Sequence, residues 1–215
     1  MNVRIARIAL LSALFLPAIV FADATSTETA PEKNVADDSV VSPPAQPDAA
    51  SIGRMTAHLM KMMPIDRFFE QVIESNRTEL KSQLDAAQYA CMMRELSQDA
   101  LTARKRGEVQ RFAETHPDAF VSGLKVLDDG AADLIAKTVE SSITGVEFDM
   151  TKADGDAVIA FVTFAFDEKL ADLRTVSGFG DLNAANGSSR STEAMMNALA
   201  ADLSKTCAIP AEFFE

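Results

Sequence analysis

The stretch GVEFDMTKADGDAVIAFVTFAFDEKLADLRTV, residues 145–176, decides the fold class of this 215-residue chain. Val146, Phe148 and Met150 alternate with Glu147 and Asp149, Asp154-Gly155 has the form of a turn, and Val158 to Phe166 is rich in β-branched and aromatic residues. That pattern suits a hairpin. Against it, Thr151 can cap a helix in which Val158, Phe161, Val162, Ala165, Leu170, Leu173 and Val176 form one stripe that runs past the end of any strand. The helix is the reading adopted, and an α+β fold with a hairpin near 146–166 is the alternative.

The flanking sequence supports the helical choice. From Ser51, the residues Ile52, Met55, His58, Leu59, Met62 and Met63 recur three and four apart, and Pro64 stands where the first turn of a helix accepts it. Phe68, Phe69, Val72 and Ile73 keep that spacing, and Leu80 and Leu84 extend it. Tyr89, Met92, Met93, Leu96 and Leu101 share another side. Pro117 starts a further helix with Phe120, Leu124 and Leu127 inward, Asp129-Gly130 marks a turn, and Ala132, Leu134, Ile135 and Val139 follow. A Gly- and Asn-rich loop from Ser177 to Arg190 precedes a last helix, Thr192 to Ser204, with Met195, Met196, Leu199 and Leu203 inward. The expectation for residues 51–215 is a single all-α bundle of about six helices, with no fixed-period repeat.

Outward from that domain the composition changes twice. Residues 25–50 interleave Pro31, Pro43, Pro44 and Pro47 with Ala, Ser, Thr and acids, and bury too little apolar surface to offset ordering entropy, so a disordered acidic linker is expected. Residues 1–24 carry Arg4 and Arg7, an apolar run from Ile8 to Ala22 and small residues suited to cleavage after Ala22 or Ala24. The run is shorter than a membrane span needs and contains Pro17, so it is read as a signal peptide of a periplasmic or secreted protein that does not span the membrane. The net charge is −12. Residues 1–22 hold +2, residues 23–50 hold six acids and Lys33, and residues 51–215 carry −9, so cleavage after Ala22 leaves the mature chain at −14. Such acidity excludes a nucleic-acid footprint, which needs clustered positive charge, and suits attraction to a basic partner.

The run Met60-Lys61-Met62-Met63-Pro64-Ile65-Asp66-Arg67-Phe68-Phe69-Glu70-Gln71-Val72-Ile73, with Ala157 to Phe166 leading into Glu168-Lys169-Leu170, resembles a family of small secreted helical bacterial proteins of unknown function. The similarity covers residues 51–176. It implies a helical envelope protein and no particular activity.

Candidate chemistry is sparse. Cys91 and Cys207 are the only cysteines, and an even pair in an exported chain predicts a disulfide closing more than 100 residues. Without a C-x-x-C, redox catalysis has no support. Met60-x-Met62 beside His58 offers soft ligands of the kind that suit Cu(I), yet these methionines fall on the same stripes as Leu and Phe and are read as core fillers, so no metal or cofactor is assigned. Met62, Phe68, Phe69, Met92, Phe161 and Met195 are the candidates for the core or for an apolar cavity. His116 is expected in an exposed turn, Gly178-Phe179-Gly180 lacks the third glycine of a dinucleotide fingerprint, and Arg104 to Arg111 is read as a solvated basic face. Glu70, Glu74, Glu95, Asp133 and Glu140 could face a cleft, but none stands at a diagnostic spacing from a His, Lys or nucleophile. The function expected is therefore non-enzymatic binding, of a basic envelope protein such as a cell-wall-active enzyme. The alternatives are a carrier of an apolar ligand between helices and an uncharacterised hydrolase. The sequence leaves the oligomeric state open.

Overall fold

Asp48 opens the folded part. In the computed structural model, which describes residues 47–180 and 187–214, its carboxylate accepts a hydrogen bond from the Ser51 amide at 2.7 Å and caps α1, Ala49–Met62. The helix thus begins two residues before the expected start of the domain. Met55, Leu59 and Met62 stand on one side of α1 and are buried. Pro64, which has no amide hydrogen to give, separates α1 from α2, Ile65–Gln83. A reciprocal pair follows, in which the Gln88 amide donates to the Asp85 carboxylate and the Asp85 amide to the Gln88 side chain, and it starts α3, Ala86–Glu95. Ser97 caps α4, Gln98–Thr115, and Pro117 sits in the first turn of α5, Pro117–Val126.

A wide turn of π type, Leu127–Ala131, swings α5 into α6, Ala132–Thr144. Gly130 makes it possible, with φ at 111°. Then come α7, Gly155–Phe166, a single 3-10 turn at Glu168–Leu170, α8, Ala171–Ser177, and α9, Gly187–Cys207. Among the described residues there is no strand, and the all-α expectation holds.

Two departures from expectation have physical causes. Among the described residues eight helices have ten or more residues and α8 has seven, rather than about six in all. The extra ends lie at Leu96-Ser97, where Ser97 caps a new helix within the run from Tyr89 to Leu101, and at Asp167, which parts α7 from α8. The second departure lies in residues 145–176. No hairpin forms: the Phe148 amide donates to the Ser141 hydroxyl at 3.1 Å, and Lys137 lies over the Phe148 ring, which folds this segment back on α6. Nor does Thr151 start one long helix. Asp149 caps a 3-10 turn at Met150–Lys152, Asp154 caps α7, and an extended Asp167 ends it, so Leu170 and Leu173 reach the core from separate elements.

The interior has two clusters. The first gathers Met55, Leu59, Phe112, Phe120, Leu127 and Phe164 from α1, α4, α5, α7 and the π turn. The second gathers Phe69, Ile73, Leu80, Met92, Leu203 and Ile209 from α2, α3, α9 and the chain after it. Helix α4 serves both, through Leu101 in the second and Val109 in the first. The predicted disulfide is present: Cys91 of α3 is bonded to Cys207 at the end of α9, with Cα atoms 5.5 Å apart. The signal reading of residues 1–24 and most of the linker at 25–50 lie outside the described residues. No helix among the described residues is long and apolar enough to cross a membrane.

Candidate functional site

Helix α7 is apolar at nearly every position from Ala157 to Phe166. A helix of that composition normally lies wholly inside a protein. This one does not. Asp154 starts it by accepting from the amides of Asp156 at 2.9 Å and Ala157 at 3.2 Å. Its inner side carries Ala160, Phe164 and Ala165, all buried, and the Phe164 ring meets Phe179 edge-on with centroids 6.3 Å apart. Ala157 packs so closely on Gly130 that a Cβ there would stand 2.8 Å from its own. The outer side carries Ile159, Val162 and Phe166, at i, i+3 and i+7, and they are 66%, 41% and 47% exposed. Val162 therefore faces outward and not along the inner stripe expected for it.

Acids stand at both ends of this row. Asp154 and Asp156 precede it and Asp167 and Glu168 follow it; all but the half-buried Asp167 are exposed. Lys152, near the first end, is paired with Asp149 at 3.1 Å. The hydrogen bonds that Thr151 and Lys152 give Asp149 hold its carboxyl below the usual range. Lys169 at the other end is outweighed by Asp167, Glu168 and Asp172.

The row is held from beneath by a buried cation. Arg174, 2% exposed, sends Nη1 to the carbonyls of Phe164 and Asp167, each at 2.8 Å, while its Nε finds no acceptor. The Phe164 carbonyl is among those that a helix leaves open at its C-terminal end, and the Asp167 carbonyl also accepts from the Leu170 amide at 3.0 Å. A second buried cation, Lys105, lies in the segment expected to be a solvated basic face. It is 6% exposed and donates to Glu108 at 2.6 Å and to the Val176 carbonyl at 2.9 Å. Arg104 is paired with Asp202 of α9, so this basic run ties elements together rather than standing free.

The remaining polar groups are distributed over several surfaces. His58 donates to Asp128 at 2.7 Å with Arg54 beside it, and Lys61 donates to Asp133 at 2.6 Å, which holds the Asp133 carboxyl below the usual range. His116 caps α4 and stacks on Phe112; it lies 3.2 Å from Asp172 and 2.8 Å from the Thr115 hydroxyl. The Thr115 hydroxyl also lies 2.8 Å from the Arg111 carbonyl, the bond that a helical Thr makes to the preceding turn. Glu74 and Glu95 pair with Arg77 and Arg94 on separate helices, while Glu70 and Glu140 are exposed on α2 and α6. No group of three His, Cys, Asp or Glu among the described residues is placed to hold a metal.

The six apolar candidates do not converge on one space. Met62 belongs to the first cluster and Phe161 packs against it, whereas Phe69 and Met92 belong to the second with Phe68 packed beside them. Met195 is half-buried near Gly178. Met60 packs on the second cluster and Met62 in the first, so the Met60-x-Met62 and His58 set is pulled apart. The outward turn of Ile159 and Phe166 and the buried role of Arg174 were not anticipated. The one signal for the former is the lack of a polar side in VIAFVTFAF, residues 158–166. No protein-family model, curated protein or solved structure matches the chain.

Proposed function

We propose that the mature chain is an exported, non-enzymatic interaction protein of the bacterial periplasm whose acidic folded part engages a basic protein of the envelope, such as a cell-wall-active enzyme that it restrains or assists. The observation that carries this reading is a row of large apolar side chains held at the surface of a domain with net charge −9. Exposed apolar rows bounded by polar residues mark interaction sites, and a strongly acidic domain draws basic partners. Arg4 and Arg7 ahead of the apolar run to Ala22 favour export, and a disulfide between the two cysteines suits an oxidising compartment. Affinity capture from the native envelope, with the mature chain from Thr25 as bait, tests the reading. Enrichment of a basic protein is expected. Enrichment of lipid with no protein would overturn it.

A further inference from the structure

We infer that the outer side of α7 is the docking site, and that its occupant is an amphipathic helix of a partner protein with Lys or Arg at both ends of its apolar face; this rests on the interaction reading above. Ile159 and Phe166 are two helical turns apart, roughly 10 Å along the axis, and Val162 lies between them. That matches the i, i+3 or i+4, i+7 anchors by which one helix packs along another. The ends decide whose helix it is. Asp154 and Asp156 stand before the row and Asp167 and Glu168 after it. In a pair of identical α7 helices, acids would meet acids whether the helices ran parallel or antiparallel. Like charges so placed disfavour a second copy of this chain. The same carboxylates disfavour a membrane of anionic lipids. A helix with cations at both ends meets opposite charge at each end and apolar side chains between them. Its cations need to stand about 12 residues apart, the length of α7 itself.

The test uses the mature chain and two synthetic helical peptides with the same Leu-lined face, one with Lys at both ends and one with Glu. Titration calorimetry is expected to show binding of the Lys peptide and at least tenfold weaker binding of the Glu peptide. Ile159→Asp with Val162→Asp, changes at exposed positions, is expected to weaken the Lys peptide at least tenfold while the melting temperature stays within a few degrees. Asp156→Asn with Glu168→Gln is expected to shrink the preference for Lys over Glu and to retain the apolar contribution. The inference is overturned if the Lys peptide does not bind, if the two peptides bind alike, or if the Asp substitutions change nothing. A dimer in sedimentation that Val162→Asp dissolves assigns the face to a second copy, and recovery on phosphatidylglycerol vesicles that the same change abolishes assigns it to lipid; either overturns it. Envelope capture separates the two levels of the account. If a basic protein is still retained by the Ile159→Asp chain, the interaction reading stands and this docking site falls.

Discussion

The Arg174 guanidinium donates to the Phe164 carbonyl at 2.8 Å and thereby fastens the C-terminal end of α7 to α8. The same Nη1 reaches the Asp167 carbonyl, which also accepts from the Leu170 amide at 3.0 Å, so the Phe164 carbonyl is the one that depends on this nitrogen. Removing it leaves the Phe164 carbonyl desolvated without compensation. Arg174→Ala is expected to lower stability by about 1–3 kcal/mol in urea denaturation and to speed exchange of the α7 amides first. A loss below about 0.5 kcal/mol, the scale of an ordinary surface substitution, would contradict this role.

Gly130 is the other support of α7. Its φ of 111° belongs to the region that L side chains avoid, and an added Cβ would stand 2.8 Å from that of Ala157. Gly130→Ala is expected to cost about 1–3 kcal/mol from the backbone conformation, with the contact adding to it. Thermal denaturation reads the loss as a lower midpoint. An unchanged midpoint would mean that the π turn can relax without moving α7.

The bond between Cys91 and Cys207 closes a sequence separation of 116 residues and ties α3 to the end of α9. In the chain-entropy account such a loop contributes about 4–5 kcal/mol. Cys91→Ala with Cys207→Ala is therefore expected to reduce unfolding free energy by that order and to loosen the second cluster around Leu203 and Ile209 before the first. Equal loss of protection in both clusters under native-state exchange would argue against this order.

Acid sensitivity follows from three carboxyls. Asp133 is held down by the hydrogen bond from Lys61, Asp48 by those from Ser51, and Asp149 by those from Thr151, each from the ordinary value of 3.8. A group whose folded value is depressed stabilises the fold fully above its unfolded value and loses that contribution as the pH falls through the folded value. Their contribution is thus complete above about pH 4 and lost progressively below it. Asp133→Asn is expected to be less stable than the native chain at pH 7 and to show a shallower decline between pH 4 and pH 2, read by circular dichroism. A parallel decline would assign acid lability to other groups.

Much of the helical layout is legible in the residues themselves. Pro117 and Asp129-Gly130 are local signals whose physics does not depend on distant chain, and the cysteine pair is read from its number alone. Leu96 misleads because Tyr89 to Leu101 reads as one apolar side across the cap at Ser97. Val162 misleads for a different reason. In a helix apolar all round, periodicity carries no direction, and which side faces in is set by the π turn around Gly130 and by Phe179. Arg174 and Lys105 resemble surface residues in sequence, since their acceptors are carbonyls of other segments: Phe164 for the one and Val176 for the other.

The central claim is that a basic protein docks on the outer side of α7. Photo-crosslinking in the native envelope, with a benzophenone amino acid in place of Val162 and, separately, of Glu70 on α2, tests it most directly. The account predicts an adduct with a basic protein from position 162 and none from position 70. Equal adducts from both positions, or lipid adducts alone from position 162, would contradict it.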